Sequence, residues 1–161
     1  MRTNNSKIKN IIISVYFILI VLAVFSAVMF KTFSSISTDP FIVIAVIALI
    51  FGVLFFIVHY ISKFFEYDSD GRMIIITNKE LLLSERFSNK EHVVEFEKDK
   101  LIGFKFNNYL VFRSLVVLVK NKRGHTIKER FNVTLVSKKK RRYIRQSLTK
   151  IVKLNRKEEG S

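Results

Sequence analysis

The residues best suited to chemistry in this chain lie close together near its C-terminal end. Lys138, Lys139, Lys140, Arg141, Arg142 and Arg145 place six cations within eight positions, with no acid among them. Ammonium and guanidinium groups at this density bind phosphate or carboxylate oxygens; they do not by themselves make or break bonds. Asp68 and Asp70, two apart, have the spacing of paired carboxylates on one strand face. Gly71 follows them, however, and Asp beside Gly is the composition of a capped turn. His92 and His125 have no His or acidic neighbour at ligand spacing, so they read as solvated strand-end histidines and not as metal ligands. Cysteine is absent, which removes disulfides, thiolate catalysis and Cys-ligated metals. Among five glycines none forms a phosphate-cradling loop. The expected role is therefore binding and not catalysis, with no cofactor and no metal.

Two uninterrupted apolar runs, residues 11–30 and 41–60, precede all of this. Each is 20 residues long and free of Asp, Glu, Lys and Arg. A helix of that length covers roughly 30 Å, the thickness of a bilayer's hydrocarbon core. The chain is thus expected to comprise an N-terminal stub and a transmembrane hairpin over 1–62, then one domain over 63–161. A secretory signal also puts basic residues before an apolar run, but its apolar core is about 7 to 15 residues long. Arg2, Lys7 and Lys9 precede the first run, and the positive-inside rule then predicts both termini in the cytoplasm. No ionisable residue lies at the centre of either run, which argues against a pore or pump. Ala23 and Ala27 in the first run, and Ala48 and Gly52 in the second, are four apart, so each pair shares a helical face suited to close backbone approach, within the hairpin or toward a partner helix. His59 and Tyr60 end the second run at headgroup level.

Net charge is +15 and unevenly spread: residues 61–99 carry six Lys/Arg against nine Asp/Glu, residues 100–157 eighteen against Glu129 alone. That imbalance concerns partners: an anionic lipid leaflet, an acidic protein or a nucleic acid.

Past residue 62 the periodicity becomes that of strands. Runs at 64–68, 72–77, 80–86, 91–96, 101–106, 114–120 and 126–136 are separated by turn residues, among them Ser69-Asp70-Gly71, an Asn78-Lys79 break and a tight turn over 121–124. Ser137 then caps a helix expected over about 137–155, whose apolar residues Ile144, Leu148, Ile151 and Val152 form one stripe. Six cations near its start oppose the helix dipole, at a few tenths to about 1 kcal/mol each when exposed, so helix stability does not account for them.

Antiparallel strands closed by one C-terminal helix resemble a pleckstrin-homology-like barrel, and two stretches add to the likeness. Ile75-Ile76-Thr77-Asn78-Lys79-Glu80-Leu81-Leu82-Leu83 resembles the strand, Thr-Asn, basic, strand hairpin of bacterial domains of this kind. Phe96-Glu97-Lys98-Asp99-Lys100-Leu101-Ile102-Gly103-Phe104 is similar to the segment where a loop feeds a strand. Lys79 followed by Glu80 departs from the usual Arg before the leucines, and no Trp marks the helix. Many such domains follow one or two transmembrane helices. The resemblance spans residues 64–154 and implies a membrane-proximal scaffold or adaptor in a bacterial inner membrane, with no site residue carried over.

The expected function is a membrane-anchored adaptor or accessory subunit of a membrane complex. Its basic domain would meet anionic lipid or an acidic protein surface, and an integral-membrane partner or a second copy would meet the hairpin. A membrane-tethered nucleic-acid-binding protein is the alternative, disfavoured because the aromatics Phe104, Phe106, Tyr109 and Phe112 read as packing residues and no RNA-binding motif is present.

Overall fold

A computed structural model of the chain describes residues 2–30, 40–80, 91–121 and 123–159. It divides into two compact units, Lys7–Ser62 and a second formed by Met1–Ser6 together with Lys63–Ser161. The architecture is α+β: two apolar helices, two antiparallel sheets and a C-terminal helix.

In the first unit α1 spans Lys9–Phe30 and α2 spans Pro40–Ile61, each 22 residues. Both are long and apolar enough to cross a membrane. Neither shows amphipathic asymmetry, being apolar around its circumference. Their inner stripe holds Val15, Tyr16, Leu19, Ala23 and Ser26 opposite Val43, Ile47, Phe51 and Phe55, all half-buried, and the Tyr16 and Phe55 rings stack 5.7 Å apart. Of the four small residues expected to face the other helix of the hairpin or a partner helix, Ala23 lies on this stripe. Ala27, Ala48 and Gly52 are exposed, and a Cβ added at Gly52 would meet nothing within 4 Å.

The second unit begins at the very start of the chain. Arg2–Asn4 is a strand, β1, paired antiparallel with β2 at Lys63–Asp68, in the register Arg2 to Asp68 and Asn4 to Glu66. These first residues, read from sequence as a stub attached to the hairpin, thus belong to the sheet. Asn5 locks the junction: 2% exposed, it accepts the Phe65 N–H at 2.8 Å and donates to the Lys63 carbonyl at 3.0 Å. Both apolar helices are therefore inserted in the β1–β2 connection.

β3, Met73–Glu80, and β4, His92–Glu97, complete a four-stranded sheet in the order β1-β2-β3-β4. Asn78 and Lys79 do not interrupt β3 but pair with His92 of β4 and with Phe65 and Phe64 of β2. The runs expected over 81–86 and the turn over 87–90 lie outside the described residues. A 3₁₀ turn, Lys98–Lys100, leads into a three-stranded sheet of β5 (Leu101–Asn108), β6 (Arg113–Lys120) and β7 (Thr126–Asn132). β7 ends at Asn132, short of the expected 136, because Thr134 and Val136 turn the chain toward the last helix: the Asn132 amide oxygen accepts the Thr134 N–H at 3.0 Å. No backbone ladder joins the two sheets among the described residues. They are tied instead by Asn78, whose side chain donates to the Phe64 and Asn132 carbonyls (2.9 and 3.1 Å) and accepts the Asn132 N–H at 3.2 Å.

α3, Lys138–Glu159, closes the core as its apolar stripe requires. Ile144, Leu148, Ile151 and Val152 pack with Phe65, Tyr67, Ile74 and Ile76 of one sheet and Leu115, Val117 and Phe131 of the other. Asn155 fixes its far end, donating to the carbonyls of Lys98 and Leu101 at 2.7 and 2.9 Å.

Candidate anion-binding site

The start of α3 is set by Ser137, as expected: its Oγ accepts the Lys140 N–H at 3.4 Å and its carbonyl accepts that of Arg141 at 2.9 Å. From this cap the six cations diverge. Lys138, Arg141, Arg142 and Arg145 line one open-sided cleft of about 740 Å³ together with Arg113, Asn108, Tyr109, Phe106 and Gln146. Lys139 points into an adjoining hollow, its ammonium 6.0 Å from the Tyr143 ring. Lys140 has turned away to donate to the carbonyl of Asn4, so it ties α3 to β1.

Arg113 completes the cleft and was not among the candidates read from sequence. It sits 25 positions before Lys138 and lacks basic neighbours. Its backbone is pinned from the β7–α3 connection: its N–H donates to the Thr134 hydroxyl at 3.0 Å and its carbonyl accepts the Val133 N–H at 2.9 Å. Phe106, on β5, holds Arg145 by its face, with the guanidinium carbon 5.2 Å from the ring centroid. An arginine stacked in this way retains its N–H fork for an anion.

Among the described residues no carboxylate pairs with Arg113, Lys138, Arg141, Arg142 or Arg145; Glu66, Glu80, Glu91, Glu97 and Glu129 are engaged elsewhere, as in Lys63–Glu80 at 2.9 Å. The cost of that crowding falls on Arg141, whose pKa is pushed below the usual arginine value first by burial, then by the charges of Arg113 and Arg145. An anion in the cleft would reverse the repulsion and restore solvation at once. Hydrogen-bond donors on several elements converging on one opening suit a phosphate or carboxylate ligand.

The other candidates have settled differently. Asp68 accepts the Asp70 N–H through Oδ1 at 2.9 Å, and Gly71 follows with φ +63, so the pair caps a turn. His92 has a spatial partner invisible in sequence: its Nε2 lies 3.0 Å from the Glu129 carboxylate and its ring 5.1 Å from Phe131. His125 contributes its carbonyl, which accepts the Asn121 N–H at 2.8 Å in the β6–β7 turn. No group of three or more His, Asp or Glu side chains forms a metal cluster among the described residues.

Comparison with known protein families, with curated proteins and with solved structures finds no match to this chain.

Proposed function

We propose that this chain is a non-enzymatic, membrane-anchored binding module: a two-helix hairpin spanning the membrane, both ends in the cytoplasm, carrying a pleckstrin-homology-like domain whose arginine cleft engages the anionic leaflet. The observation that carries the reading is the uncompensated cleft itself. Each Lys or Arg near an anionic leaflet contributes about 1 kcal/mol, and a tether raises the effective concentration of the surface. The cleft's cationic, amide and aromatic lining supports binding over catalysis. Four strands, then three, then one helix support the pleckstrin-homology-like barrel assignment, and basic residues ahead of α1 support the cytoplasmic side. An adaptor or accessory-subunit role follows from a module that offers binding surfaces and no reaction.

The test uses the full chain in nanodiscs of neutral lipid or of lipid containing phosphatidylglycerol. A water-soluble acetylating reagent, read by mass spectrometry, should modify Lys138 and Lys139 several-fold more slowly in the anionic discs, and about 1 M salt, where the Debye length is near 3 Å, should abolish the difference. Arg141→Gln with Arg145→Gln should weaken the protection. Equal rates in both lipids refute the reading, and protection produced by DNA in neutral discs would favour the nucleic-acid alternative.

A further inference from the structure

The connection between β5 and β6 is built unlike an ordinary surface turn. Its two outermost positions are Leu110 and Val111, and Leu110 is 105% exposed, standing wholly clear of the domain. Short hairpin connections favour Asn or Gly, which suit both the backbone and water. Here there is neither, and no non-glycine residue among those described has a positive φ. Nor is the loop slack. The Tyr109 N–H donates to the Phe112 carbonyl at 2.9 Å, the two rings stack 4.4 Å apart, and Arg130 Nη2 donates to the Tyr109 hydroxyl at 3.3 Å. An apolar pair is thus held out into solvent on a stiff aromatic base.

Directly behind it, Asn108, Tyr109 and Arg113 form one wall of the arginine cleft. Apolar side chains ringed by cations match the layering of a membrane surface, where acyl chains lie beneath phosphates.

We propose that the 109–112 tip is a membrane wedge: Leu110 and Val111 enter the acyl region of the anionic leaflet while Arg113, Arg141 and Arg145 hold a lipid phosphate beside them. This rests on the membrane-anchored reading above and adds to it an insertion site with defined residues. The bilayer is the occupant because the cationic collar complements its phosphates and the fully exposed apolar pair complements the acyl region beneath them. Two contributions of different kind result, one electrostatic and sensitive to salt, the other apolar and indifferent to it.

The chain contains no Trp, so Leu110→Trp introduces a single tryptophan at the tip, excited apart from the five tyrosines. In anionic nanodiscs of the full chain its emission should shift to the blue, lipids brominated on the acyl chain should quench it, and aqueous iodide should not. In neutral discs the shift should be smaller. In otherwise unchanged protein, Leu110→Ser should reduce the attached fraction's equilibrium constant about tenfold, the loss of one leucine from an apolar phase, without altering the salt dependence of Lys138 protection. A tip emitter that stays open to iodide while Lys138 and Lys139 are protected by anionic lipid overturns the wedge and leaves the reading of the cleft intact. An iodide-accessible tip together with unprotected lysines overturns both.

Discussion

Single side chains carry much of the specificity of this fold, and several can be tested alone. Tyr67 is fully buried and its hydroxyl lies 3.0 Å from Ser147 Oγ. Burial pushes its pKa above the usual tyrosine value of 10.0, with the hydrogen bonds to Ser147 and Ser69 acting the other way. The folded state therefore keeps its proton where the unfolded chain loses it, so stability is intact below pH 10 and falls as pH rises from there through the raised value. Absorbance titration should lose a late-ionising tyrosine in Tyr67→Phe, and that variant should flatten the alkaline fall in stability. Asn78→Ala should cost about 1 to 3 kcal/mol in chemical denaturation, because it strands buried backbone groups on both sheets. Sequence placed Asn78 and Lys79 in a break, since Asn is scarce in strands; only the neighbouring sheet reveals what its amide does. Arg113 was hidden for a similar reason. A lone arginine in a strand sequence carries no periodic signal, and its place beside Arg141 and Arg145 exists only once the β7–α3 connection folds back on β6.

At the scale of elements, legibility followed length and periodicity. The two apolar helices, the β6–β7 hairpin and α3 with its Ser137 cap could be read directly, because each repeats its pattern over many residues. β1 could not: three residues show no period, and their partner lies across the whole hairpin. Its weight in the structure can be measured. Asn5→Ala should destabilise the domain by about 1 to 3 kcal/mol, and hydrogen exchange at the Phe65 amide, which donates to Asn5, should accelerate more than at amides of β6. The α3 cluster was legible as a charge run but not as a cleft, since six neighbours in sequence turned out to face three separate ways: the arginine cleft, the Tyr143 hollow and the β1 tie.

For the whole molecule, the pairing of β1 with β2 joins residues separated by the hairpin, and sheet pairing of this kind requires both strands in one aqueous compartment. Reporters attached at the N-terminus and at the C-terminus should therefore report the same side, and one placed within residues 31–39 the opposite side; a split between the termini would refute the spanning hairpin. There is a further consequence for how the protein is made. The first strand is synthesised early but has no partner until both apolar segments and β2 have followed it from the ribosome. A chain in which only one segment inserts leaves β1 and β2 on opposite faces of the membrane, with the edge of β2 bare and Asn5 missing from the Phe65 amide. On the spanning reading proposed above, completion of the sheet would act as a proofreading step for membrane insertion, and a misinserted chain would present cellular proteases with β2 bared in place of β1 at the sheet edge.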